Sequence, residues 1–60
     1  MKVKILIEEN ADELENEINR EIEKLESDGQ EVIDIKFVIR EDYIYNFYAM
    51  IIYKDKDLTQ

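Results

Sequence analysis

The chain has no cysteine, no histidine, no tryptophan and no proline, and a single glycine among its 60 residues. Without cysteine no disulfide can brace the fold, and the composition suits a reducing compartment. With histidine missing as well, the usual ligands of a transition-metal site are gone. So are the partners that activate a nucleophile in Ser-His or Cys-His catalysis. Ser27 and Thr59 are the only aliphatic hydroxyls, and neither has an imidazole to act on it. One glycine cannot build a glycine-rich phosphate cradle. No stretch reaches 18 apolar residues, and the apolar opening Val3–Ile7 is too short for a signal segment and carries Lys4. These absences describe a cytoplasmic protein with no cofactor, no membrane span and no enzymatic activity.

Charge is what the chain has in excess. Sixteen acidic residues against eight basic ones give a formal net charge of −8, which favours solubility and disfavours bulk attraction to nucleic acid or anionic lipid. Adjacent carboxylates at Glu8–Glu9 and Glu41–Asp42 have the character of solvated loop charge rather than a paired-acid site. Glu8, Glu9 and Asp12 lack the spacing of a calcium loop.

The segment Tyr43–Lys54, YIYNFYAMIIYK, is apolar at both parities. Its odd set is Tyr43, Tyr45, Phe47, Ala49, Ile51, Tyr53, and its even set is Ile44, Asn46, Tyr48, Met50, Ile52, Lys54. A strand sends successive side chains to opposite faces, so a strand apolar on both belongs inside a sheet with cover on each side. Its aromatic and β-branched content favours strand over helix. Met1–Ile7 alternates and predicts a first strand, and Gln30–Arg40 predicts another. Between them, Ala11, Leu14, Ile18, Ile22 and Leu25 recur in steps of three and four and predict a helix over Ala11–Ser27. Asn10 and Glu13 have capping-box spacing, and Gly29 suits the left-handed residue after the helix.

The order β-α-β-β predicts one α+β domain spanning 1–60, with 55–60 as a frayed tail. A right-handed crossover makes the first two strands parallel. Placing the doubly apolar strand between them gives sheet order 1-3-2 with antiparallel neighbours, a split βαβ arrangement with one helix on one face. Order 1-2-3 would leave the most apolar strand at an edge.

One helix covers one side of such a sheet. Val3, Ile5, Ile7, Ile33, Ile35, Phe37, Ile39, Phe47, Ala49 and Ile51 are expected beneath it, because the opposite parity of the last strand would bury Asn46. Leu6, Val32, Val38, Ile44, Tyr48, Met50 and Ile52 are then expected on the open face, ringed by Lys2, Lys4, Lys36, Arg40 and Lys54. An apolar patch of that size marks an interaction surface. In a 60-residue domain, burial and chain ordering nearly cancel, so self-association is the available source of further stability. The reading is a non-catalytic structural or interaction module, a homodimer through the open face. One alternative is nucleic-acid binding by the basic, Tyr48-bearing face. Another is mimicry of a nucleic-acid backbone by the acidic helix, to capture a basic protein.

The short chain, its Val3–Lys4–Ile5 opening, Asp34–Ile35–Lys36 and above all Tyr48–Tyr53 (YAMIIY) resemble a family of small sporulation-associated proteins of spore-forming bacteria. The resemblance spans most of the chain and rests on packing residues of strands. It implies a mother-cell cytosol and transfers no catalytic residue.

Overall fold

The computed structural model of the protein describes residues 1–41 and 45–56. Their elements run β1 (Lys2–Glu8), α1 (Ala11–Ser27), β2 (Gln30–Glu41) and β3 (Tyr45–Asp55). The three strands form one sheet in the order β1-β3-β2, and β3 is antiparallel to both neighbours. This is the expected β-α-β-β, 1-3-2 architecture. Element ends differ by a residue: β1 reaches Glu8, and β2 reaches Glu41.

The helix starts where its chemistry says it should. Asn10 is extended at φ −142°, ψ 160°, and its side-chain oxygen accepts a hydrogen bond from the Glu13 N–H at 2.8 Å. That bond satisfies one of the four amides left open by a helix start, and Asp12 and Glu13 sit in the first turn where the dipole favours them. At the other end the Asp28 N–H donates to Lys24 O and Leu25 O, each at 3.0 Å. Gly29 then turns the chain at φ 79°, a left-handed conformation that costs other residues about 1 kcal/mol.

The core lies between α1 and the centre of the sheet. Leu14 and Leu25 from the helix meet Leu6, Ala49 and Ile51, with Leu14 at 1% and Ile51 at 0% exposure. Each of these two large side chains contributes about 1.5–3 kcal/mol by leaving water. Ile18, Val32, Ile35, Phe47 and Tyr53 pack around the cluster. Ala49, at 1% exposure, is small enough to let the helix approach β3.

Facing residues share a side of a sheet, so the pairing assigns every side chain. Leu6 faces Ala49 and Lys4 faces Ile51, while Val3, Ile5 and Ile7 face Ile52, Met50 and Tyr48. The expectation that Val3, Ile5 and Ile7 lie beneath the helix is therefore overturned. They are 55%, 57% and 57% exposed on the bare side, and Leu6 is buried in their stead. In β2 the register shifts between Val32 and Asp34. This bulge lets Val32, opposite Tyr53, join the helix side together with Ile35, Phe37 and Ile39, opposite Ile51, Ala49 and Phe47. Val32 is thus removed from the expected open face, and Ile33 is 44% exposed rather than core.

Two residues of the expected tail at 55–60 make backbone contacts. Asp55 ends β3, and the Lys56 N–H donates to Gly29 O at 2.9 Å; the last four positions lie outside the described residues.

Candidate interaction surface

The side of the sheet away from α1 is assembled from three rows. β1 contributes Val3, Ile5 and Ile7, and β3 contributes Tyr48, Met50 and Ile52. In β2, Asp34, Lys36, Val38 and Arg40 stand opposite Ile52, Met50, Tyr48 and Asn46. Val38 is 56% exposed, so the face offers aliphatic side chains over its whole width. Of the residues expected here, Val38, Tyr48, Met50 and Ile52 are present. Leu6 and Val32 have moved to the core side, and Ile44 lies outside the described residues.

Near the middle of this face a shallow groove of about 400 Å³ is floored by Ile5, Val38, Tyr48 and Met50 and flanked by Lys36 and Arg40. Lys36 Nζ lies 3.4 Å from Asp34 Oδ2 along the same row. Charge on the face lies along β2 and at one end of β3, where Lys54 stands opposite Glu31, while the β1 row is wholly apolar.

The expected basic ring is smaller. Lys4 Nζ reaches Glu21 Oε1 on the helix at 3.1 Å, and Lys2 Nζ reaches Asp55 Oδ1 at 3.4 Å. Both lysines leave the open face, which weakens the electrostatic basis for phosphate contacts there. On the helix, Arg20 pairs with Glu17, a favourable neighbour at three residues' spacing.

Two carboxyls titrate unusually. Glu8 is held above the usual carboxylate range, first by loss of hydration and then by the Glu13 carboxyl, which shares a hydrogen bond with it and repels its charge. Asp55 is held below that range by hydrogen bonds from Gln30 and Lys2 and by the Lys2 charge. Neither belongs to a cleft with a nucleophile. Among the described residues no three acidic side chains converge as a cation site, and no described helix is long and apolar enough to cross a membrane.

A second, smaller hollow of about 230 Å³ lies between α1 and β2, lined by Ala11, Leu14, Glu15, Ile18, Asn19 and Phe37. Phe37 is 52% exposed, with its ring centroid 6.5 Å from that of Phe47.

Alternation in β1 concealed the true face, because Val3, Ile5 and Ile7 look like the better core set. A signal for the correct assignment was available: Lys2 and Lys4 share a parity, and the helix predicted above them carries Glu17 and Glu21.

The model of one protein family, described as "Sporulation protein Cse60", matches residues 1–55. No curated protein and no solved structure matches the chain.

Proposed function

The chain belongs to this sporulation protein family, and from that membership and the bare sheet face we propose a non-catalytic interaction module that self-associates through that face in the cytoplasm. The observation that carries the reading is the orientation of β1. Val3, Ile5 and Ile7 point away from α1, each more than half exposed, while lysines occupy the covered side. Leaving three aliphatic side chains in water while burying lysine stems is a poor exchange for a monomer. It becomes favourable when the outward face is buried against another surface.

Size supports the same reading. A domain this small has a narrow stability margin, with neither disulfide nor metal to widen it. The bare face runs along all three strands and carries Val3, Ile5, Ile7 and Val38, each more than half exposed, the kind of contiguous apolar patch that marks an interaction surface. With Lys2 and Lys4 drawn to Asp55 and Glu21, nucleic-acid binding has no comparable support.

Sedimentation of the wild-type chain and Met50→Asp at micromolar concentration tests the proposal. The wild type is expected as a dimer. The variant, which sets an unpaired carboxylate in the interface, should lose about 3 kcal/mol of association, roughly a hundredfold. A wild-type chain that sediments as a monomer, unaltered by Met50→Asp, refutes it.

A further inference from the structure

We propose that the partner is a second copy of this chain stacked face to face, with β2 lying antiparallel on the partner's β2, and with Arg40 of each copy set against Asp34 of the other. The inference rests on the self-association proposed above and adds its geometry.

Two stacked sheets in a symmetric dimer have two simple choices of two-fold axis in the interface plane. An axis parallel to the strands lays β2 of one copy over β1 of the other. An axis perpendicular to them lays β2 over β2 and β1 over β1, each pair antiparallel. The first choice presses Asp34, Lys36 and Arg40 onto a row made only of Val3, Ile5 and Ile7, desolvating charge against aliphatic side chains that offer it no hydrogen bond. The second keeps like with like: a dry edge where β1 meets β1, and a charged edge where β2 meets β2.

Charge order along β2 fixes the register within the second choice. Reading from Asp34, the open-face row continues through Lys36 and Val38 to Arg40, about 20 Å from end to end. Reversing this row against itself brings Arg40 over Asp34 when the axis passes between Lys36 and Val38. An axis one step away sets two cations together. At the favoured position Met50 lies over the partner's Tyr48, and Ile5 over the partner's Ile7. The Lys36 stem covers the partner's Val38 while its ammonium leans to the rim, as long cationic side chains do. The groove floored by Ile5, Val38, Tyr48 and Met50 is centred on this axis, so the two copies' grooves face each other across the interface. The acidic helices then lie on the two outer surfaces, farther apart than a Debye length of about 8 Å.

The absence of native cysteine allows a direct test. Val38→Cys and Ile7→Cys proteins are treated, separately and mixed, with a thiol-specific bifunctional reagent whose reach matches the ~10 Å spacing of stacked sheets. The proposed dimer predicts that Val38→Cys crosslinks to itself without the second protein. Crosslinking that appears only in the mixture indicates β2 over β1 and overturns the geometry while leaving self-association standing. A dimer by sedimentation that gives neither product overturns the face-to-face arrangement in favour of pairing through a strand edge. A monomer by sedimentation overturns both proposals. As a second readout, Asp34→Arg and Arg40→Asp should each weaken dimerisation about two- to fivefold, the scale of exposed ion pairs, and the double variant should recover the wild-type constant. A double variant weaker than either single change overturns the register.

Discussion

Lys4 Nζ stands 3.1 Å from Oε1 of Glu21, tying the edge strand to the middle of the helix. This contact contributes to the orientation of β1, whose lysine-bearing side faces the core layer. The helix is narrow and covers β3 best, so at the sheet edge a long stem passes beneath it and delivers its charge to an acidic flank. Glu21, with 13% of its side chain exposed, depends on that ammonium more than Lys4, at 41%, depends on the carboxylate.

Removing the ammonium alone should therefore cost more than removing both groups. Lys4→Met is expected to destabilise by about 1 kcal/mol, whereas Lys4→Met with Glu21→Leu should be neutral or better. Urea denaturation of the four proteins of the cycle measures this. A coupling indistinguishable from zero would show that the ion pair contributes nothing to the orientation of β1.

Adjacent positions in β1 should differ sharply. Leu6 is 8% exposed and Ile7 57%, so in the monomeric Met50→Asp background Leu6→Ala should cost about 2–4 kcal/mol and Ile7→Ala less than 1. Equilibrium unfolding decides, and the reverse ranking would restore the parity expected from alternation.

The two helix ends make separate contributions. Asn10→Ala deletes the acceptor for the Glu13 N–H and should cost about 1 kcal/mol, while Asn10→Ser should nearly preserve stability. Gly29→Ala should also cost about 1 kcal/mol. Its new Cβ would meet no atom within 4 Å, so the cost is one of backbone conformation at φ 79° rather than of collision. Thermal melts that rank Asn10→Ser with Asn10→Ala would discount the cap.

Glu8 and Asp55 should give the stability curve opposing slopes. The raised value of Glu8 means that its contribution is present below the ordinary glutamate value and is lost as pH rises through the raised one. Glu8→Gln should consequently raise Tm at pH 7, with an advantage that shrinks on acidification. Asp55, whose value is lowered, contributes above the ordinary aspartate value and ceases to as pH falls through the lowered one. Asp55→Asn should lower Tm at pH 7 and leave it unchanged in strong acid. Melting curves from pH 2 to 8 would expose a wrong sign in either case.

The chain spelled out its architecture clearly because each element carries its own periodicity. Leu14, Ile18 and Leu25 mark one stripe of a helix, and the doubly apolar run through Ile51 and Ile52 demands a central place. The order β1-β3-β2 followed from that run. The outward rows were harder to read. In β2 the register shift between Val32 and Asp34 has no local marker, since neither glycine nor proline stands there. In β1 the apolar alternation pointed to the wrong side, because the reward for covering Val3, Ile5 and Ile7 comes from beyond the single chain. Periodicity reports that a strand has a greasy side; it does not report which neighbour takes it.

The irregularity at Ile33 has a consequence for how this strand can vary. Val32 ahead of it and Ile35 behind it share a side although three positions separate them, so Ile33 is the extra residue between them. Deleting Ile33 would set Val32, Asp34 and Ile35 in unbroken alternation opposite Tyr53, Ile52 and Ile51, with Lys36 and Arg40 still outward and Phe37 and Ile39 still toward the helix. Ile33, 44% exposed, is thus a position where a residue can be lost without turning either half of β2.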